Sequence, residues 1–196
     1  MTNSKKDLAS KLLIGPERFE ELSAFLQPLK ISKHDFFVRP GGVCQHIAFV
    51  ISGVLRSYYV DERGEEISFL FHFSHQHLQH QFVSDYESVL TGIPSRLYIQ
   101  ALEESELLLL HKNDLEQLYR EDAYWQQFGR IMNERVYLSA KKRVEDLLYF
   151  SPESRYRNLL AENPSFFQRI PQKFIASYLG ITPQSLSRIR RRLAFN

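Results

Sequence analysis

The sequence predicts an α+β chain: an antiparallel sandwich or barrel of short strands, then a long helix, then a C-terminal helix-turn-helix. Three observations predict it. Between residues 31 and 111 the apolar residues fall into short aromatic and β-branched runs separated by glycine turns. From Asp122 to about Phe150 the spacing turns helical, with no proline and one glycine. A 20-residue window starting at Gln172 places Ala176, Gly180 and Leu186 at its fifth, ninth and fifteenth positions.

Taken in order, residues 4–30 hold Pro16 followed by Phe19, Leu22, Phe25, Leu26 and Leu29, which reads as one amphipathic helix opening near Pro16. The strand block follows, with runs at 37–38, 46–52, 54–60, 67–73, 97–101 and 107–111. Turn signals separate them, at Pro40-Gly41-Gly42, Ser52-Gly53, Asp61-Glu62-Arg63-Gly64 and Gly92-Ile93-Pro94 among others. The turn at 61–64 makes a hairpin of the runs on either side. Phe69, Phe71 and Phe73 alternate with Ser68, Leu70 and His72, so that strand is expected to have one wholly aromatic face. Asn113 or Asp114 caps a short helix over 115–120. In the long helix, Trp125, Phe128, Met132 and Val136 form a stripe that Ile131, Leu138, Val144, Leu147 and Leu148 widen. That is more apolar surface than a small sandwich needs, and it points to a partner helix from a second copy. Three short helices, at 152–161, 171–179 and 183–194, complete the chain.

The helix-turn-helix is the most specific signal. Ala176 is small where a second helix crosses the first, Gly180 suits the chain's exit from the first helix, and Leu186 fills the space between them. Thr182 is a good N-cap and Pro183 takes the first helical position. With Ile175, Leu179, Ile181, Ile189 and Leu193 inward, Gln184, Ser185, Arg188 and Arg192 face outward. Gln pairs with adenine and Arg with the N7/O6 edge of guanine. The start of a recognition helix makes base contacts, which favours Gln184, Ser185 and Arg188, with Thr182 at its mouth. Arg190, Arg191, Arg169 and Lys173 suit phosphates.

Charge supports this placement. The 196 residues carry a net charge of only +2, yet residues 1–140 hold 14 basic and 19 acidic side chains, whereas residues 141–196 hold 11 and 4. After Glu162 there is no acid at all. An acidic body with a basic end points to an anionic partner, double-stranded DNA first. The single cysteine, Cys44, excludes an internal disulfide, a cysteine-ligated zinc ribbon and a four-cysteine iron–sulfur site. The polar start lacks a signal-peptide core, and the longest apolar runs, 47–51 and 107–110, are too short for a bilayer, so the expectation is a cytoplasmic protein without a membrane partner. No nucleophile elbow, phosphate loop or His-Glu-x-x-His helix is present, which argues against an enzyme.

Strand block, long helix and helix-turn-helix together resemble the Crp/Fnr family of bacterial transcription regulators, from about Phe19 to Arg192. The stretches 36–44 and 48–56 are similar to the first half of its cyclic-nucleotide-binding-like β-roll, a jelly roll. The stretch 175–188 is very similar to its DNA-reading segment. The resemblance implies a β-roll effector-sensing domain over 1–120, a long dimerisation helix and hinge over 121–150, and a DNA-binding domain over 151–196. It also implies a homodimer reading two half-sites about 34 Å apart, a small effector in the roll, and RNA polymerase as a further partner. Two departures stand out. The family's phosphate cassette has a Gly-Glu pair and then an Arg followed by Ser or Thr. Here the stretch reads Phe82-Val83-Ser84-Asp85-Tyr86-Glu87-Ser88, then Gly92-Ile93-Pro94-Ser95-Arg96, with no Gly-Glu pair and Arg96 one place late. One place on a strand turns a side chain to the opposite face. Arg96 is therefore expected to point away from a bound phosphate. The candidate effector contacts in this region are Glu87, Ser88, Ser95 and Arg96, with Arg135 and Ser139 from the long helix, and the effector is a cyclic nucleotide or another small molecule. The chain also stops four residues after Arg192, so a full β-hairpin wing is not expected.

A second reading rests on His72, His75, His77 and His80. His75-Gln76-His77 has the look of a metal-binding cupin, which would make the chain a metal- or ligand-binding barrel with an assembly tail. The carboxylate that a cupin places four or five residues later is replaced by Gln81 and Phe82, so no metal or other certain cofactor is assigned and a polar loop is expected there.

Overall fold

The structure is a computed structural model that describes residues 3–74, 80–162, 164 and 166–194. Two helices come first, α1 (Asn3–Leu12) and α2 (Pro16–Ser23). Eight strands follow: β1 (Gln27–Ile31), β2 (Phe36–Val38), β3 (His46–Ser52), β4 (Val54–Val60), β5 (Glu66–Phe73), β6 (Phe82–Val83), β7 (Tyr98–Ala101) and β8 (Ser105–His111). A short helix, α3 (Tyr86–Thr91), lies between β6 and β7. Then come α4 (Lys112–Glu121), the 27-residue α5 (Ala123–Tyr149), α6 (Pro152–Glu162), α7 (Phe166–Arg169), α8 (Gln172–Tyr178) and α9 (Pro183–Ala194). The strands form two four-stranded sheets, in the orders β1-β8-β3-β6 and β2-β7-β4-β5.

Contacts divide the chain into two compact units. One comprises Met1–Ser57 and Phe71–Asn133, the other Tyr58–Leu70 and Glu134–Asn196. The outer half of the β4–β5 hairpin therefore belongs with the C-terminal helices, and β4, β5 and α5 each run from one unit into the other.

In the first unit, β3 pairs antiparallel with β8, from His46 opposite His111 to Val50 opposite Leu107. Ala48, Val50 and Leu107 face a core with Leu55, Val83, Leu97 and Ile99. Phe49, Leu108 and Leu110 face the other way and are covered by Leu8, Leu12, Phe19, Leu22, Leu118 and Trp125 from the helices. Both faces of these two strands are buried, which is why 47–51 and 107–110 read as continuous apolar runs. Gly53 joins β3 to β4 at φ +93°, and a Cβ there would lie 2.6 Å from the Ser105 backbone. Only glycine meets both demands.

Several expectations change. The single helix expected from Pro16 through Leu29 ends at Ser23, and Leu29 lies in β1. Pro28 has no N–H for a helix and sits in an edge strand, where it is tolerated. The helix α1 precedes it and buries Leu8 and Leu12. The cap of α4 is His111, whose Nδ1 accepts from Asn113 N at 3.1 Å, not Asn113 or Asp114. The aromatic face of β5 is interrupted: Phe71 and Phe73 are buried, but Phe69 is exposed edge-on to Tyr59, while Ser68 is buried. The hairpin turn forms as expected, with Asp61 Oδ1 accepting from the Arg63 and Glu65 amides. The helix α7 adds a fourth segment to the three expected after residue 150.

Candidate nucleic-acid interface and effector region

In the C-terminal unit, α8 ends in a glycine turn. Gly180 has φ +67°. Its N–H donates to Ser177 O at 3.1 Å, and Ile181 N–H donates to Ala176 O at 3.0 Å, which satisfies two carbonyls that a helix end leaves open. The helix α9 then starts at Pro183. Thr182 Oγ1 accepts from Ser185 N at 3.2 Å and so caps it. Ile175, Ala176, Leu179, Leu186 and Ile189 are all buried where α8 and α9 pack together. Phe166 of α7 lies ring to ring with Tyr178 of α8, and Tyr156, Leu159 and Ile170 are buried as well.

That packing leaves one face of α9 outward. Gln184, Arg188, Arg191 and Arg192 are exposed, Thr182 is exposed at the mouth, and Ser185 is half-buried. Thr182, Ser185 and Arg188 form a hydrogen-bonded series. Thr182 Oγ1 donates to Ser185 Oγ at 3.0 Å, and Arg188 Nη2 reaches the same oxygen at 3.4 Å. Arg192 instead pairs with Glu153 of α6 at 3.1 Å. Arg169 and Lys173 are exposed on α7 and α8, with Lys173 Nζ 4.7 Å above the Phe174 ring.

Sequence reasoning missed the residues that hold this platform. Arg155 donates to Leu179 O from Nε and Nη2, at 3.1 and 2.9 Å, and to Phe150 O at 2.7 Å. Arg143 donates to Tyr178 O and stacks 3.7 Å over the Tyr178 ring. Both arginines meet helix C-termini, where the dipole favours a cation. Their spacing in sequence carries no signal of it.

In the first unit, the cassette region is already occupied by the chain's own groups. Asp85 caps α3, its Oδ1 accepting from Ser88 N at 3.3 Å, and its Oδ2 accepts from Ser95 Oγ at 2.5 Å. Ser88 Oγ donates to Ile93 O at 2.6 Å and accepts from Cys44 N at 2.9 Å. Ser88 and Ser95 are buried, Glu87 is exposed, and Arg96 is exposed between buried Ser95 and Leu97. The donors that a phosphodiester would need thus serve a carboxylate and a carbonyl, and the arginine faces solvent. These residues do not fit the phosphate of a cyclic nucleotide. Asp85, unassigned from sequence, was legible as Asp-x-x-Ser before a helical turn. Arg135 and Ser139 are half-buried on α5 beyond Asn133, in the other unit.

Of the histidines, His75 and His77 lie outside the described residues. Among the described residues no group of three or more His, Cys, Asp or Glu is placed to hold a metal. His72 is buried. Its Nδ1 lies 2.5 Å from Phe82 O, which can only accept, so Nδ1 carries the proton and Nε2 accepts from Ser57 Oγ at 2.6 Å. Burial pushes its imidazole down to about 4, against the raising effect of the Phe82 carbonyl. Cys44 is buried, and its thiol donates to His46 O at 3.4 Å. No helix among the described residues is long and apolar enough to cross a membrane.

Known proteins share parts of this arrangement. Residues 28–122 match the model of the cyclic nucleotide-binding domain. Among curated protein sequences none matches the chain. Solved structures extend the likeness past residues 28–122. FixK2 from Bradyrhizobium japonicum superposes with a TM-score of 0.70 at 18% identity, over 87% of this chain and 85% of that one. The c-di-GMP responsive global regulator CLP of Xanthomonas campestris does so with a TM-score of 0.69 at 16% identity, over 92% of each chain. The catabolite activator protein of Thermus thermophilus gives 0.58 at 21% identity, over 94% of this chain and 86% of that one. The chain therefore shares the fold of these three proteins, with an α+β roll and a long helix.

Proposed function

We propose that the protein is a transcription regulator, not an enzyme, which binds double-stranded DNA as a homodimer and reads a two-half-site operator. The observation that carries this reading is the outward face of α9. It presents Gln184, Arg188 and Arg191 on a helix held by a glycine turn, in a segment with no acid after Glu162. Gln184, Ser185 and Arg188 read bases, with Thr182 at the helix mouth. Arg191, Arg169 and Lys173 bind phosphates, and Arg192 joins them once released from Glu153.

The same reading divides the work along the chain: sensing in residues 1–120, dimerisation in 121–150 and DNA reading in 151–196. Tyr137, Val144 and Leu148 are exposed at helical spacing on α5. A second copy's helix would cover them, and RNA polymerase is the partner expected at the promoter. The effector is a small molecule bound in the roll. Because Asp85 already holds Ser95 and the start of α3, the candidate contacts Glu87, Ser88, Ser95 and Arg96, with Arg135 and Ser139, are not expected to hold a cyclic phosphate. Calorimetry with cyclic AMP and cyclic GMP should give no heat at micromolar concentrations, and a micromolar affinity for either would overturn this part.

A gel shift against genomic fragments at several salt concentrations tests the reading as a whole. A specific complex is expected, with affinity falling linearly in log salt. Weak retention of all fragments alike would overturn it.

A further inference from the structure

The strand β5 is the last strand of its sheet, in the order β2-β7-β4-β5. The backbone C=O of Glu66 and N–H of Ser68 point to the same side of that strand, the pair a neighbouring strand would meet. Here one side-chain hydroxyl meets both. Ser177 Oγ of α8 accepts from Ser68 N at 2.9 Å and donates to Glu66 O at 2.9 Å. Ser68 Oγ completes the junction by donating to Phe174 O at 3.1 Å. These bonds join residues more than a hundred apart in sequence, and all of them lie within the C-terminal unit.

We propose that Ser177 is a positioning residue for DNA reading, standing in for a strand at the edge of β5 and so fixing α8 against the hairpin. This rests on the DNA-binding reading of α9. The helices α8 and α9 pack against each other and bury Ile175, Ala176, Leu186 and Ile189, so whatever sets α8 sets the recognition helix. The hairpin is itself the continuation of β4 and β5 out of the first unit, which makes it a second covalent route to the head beside α5. Gln184 and Arg188 stay exposed in this arrangement, so the tie presents the reading face and does not hide it. Losing it weakens DNA binding.

The test uses the full chain with Ser177→Ala, Ser177→Thr and Ser177→Val. Thr and Val have nearly the same shape and differ by the hydroxyl. Two measurements are made: amide hydrogen exchange at Ser68, and binding to a selected operator across a salt series. Ser177→Ala and Ser177→Val should speed exchange at Ser68 and weaken operator binding about tenfold, as expected for two lost hydrogen bonds. The salt slope should not change, because no phosphate contact is lost. Ser177→Thr should keep wild-type values in both. Unchanged exchange in Ser177→Val would overturn the contact itself. Faster exchange with wild-type affinity would overturn the positioning role while leaving the DNA reading intact. A wild-type chain that binds no DNA would overturn the DNA reading, and the role with it, whatever the exchange shows.

Discussion

At the scale of single residues, environment decides what a side chain does, and sequence shows only its type. His72 looked like one member of a histidine cluster, but burial holds it neutral between Ser57 and the Phe82 carbonyl. Its folded value of about 4 lies below the ordinary 6.5. Between these values the unfolded chain binds more protons than the folded one, so stability falls as pH drops through this window. The limit is on the order of 3 kcal/mol. Thermal melts from pH 7 to pH 4.5 should show this loss, and His72→Asn, which keeps a donor for Phe82 O, should show a shallower one. A pH profile identical in both would assign the loss to other groups. If α9 reads DNA as proposed, Arg188→Ala should cost about 1–3 kcal/mol and relax preference at one base pair of each half-site, whereas Arg191→Ala should weaken all sequences alike. Uniform losses from both would mean that another face of α9 reads the bases. The outward residues of α9 were legible because helical period and a fixed steric pattern determine them. Arg155, Arg143 and Ser177 were not, since their partners are backbone atoms at distant positions that no pattern marks.

At the scale of elements, local chemistry was a good guide wherever one residue type has one conformational use. Gly180, Thr182 and Pro183 place the turn and the start of α9 to the residue. The same holds for Asp61 and Gly64 in the hairpin. The amphipathic reading of residues 16–29 failed at its end because helical and strand spacing overlap in short apolar runs, and Pro28 was the discriminating residue. Two glycines separate backbone strain from packing. At Gly180 an added Cβ would make ordinary contacts with Leu147 Cδ2 at 3.5 Å and Arg155 Nη2 at 3.9 Å, so Gly180→Ala carries the left-handed penalty alone, about 1 kcal/mol. At Gly53 the same penalty is joined by a 2.6 Å clash with the Ser105 backbone. Urea unfolding should therefore rank Gly53→Ala well below Gly180→Ala in stability. Equal losses would show that the β3–β4 turn relaxes around the new methyl.

At the scale of the whole molecule, the uninformative net charge of +2 separates into a −5 for residues 1–140 and a +7 for residues 141–196. The positive part includes the exposed arginines of α9, where phosphates would lie under the DNA-binding proposal, and the negative part would weaken non-specific retention of residues 1–140 on DNA. The general architecture was legible because it rests on changes of hydrophobic period along the chain. The grouping of the hairpin tip with the C-terminal helices was not, since residues 58–70 read as ordinary strand and turn. Association is the other property at this scale. Val144 and Leu148 lie one turn apart on α5 and are 55% and 76% exposed, and with exposed Tyr137 they make an apolar strip of the kind that marks an interaction surface. The double variant Val144→Glu, Leu148→Glu should sediment as a monomer where the parent sediments as a dimer, and it should lose operator affinity. A parent that is already monomeric would remove the homodimer from the account. The central claim joins both halves of the molecule: two recognition helices, held by one dimer, read DNA at two places. Selection of binding sites from a randomised duplex pool tests it most directly. The enriched sequences should contain two inverted half-sites with centres about one helical turn apart, near 34 Å. A pool that enriches no sequence, or only isolated single sites, would contradict it.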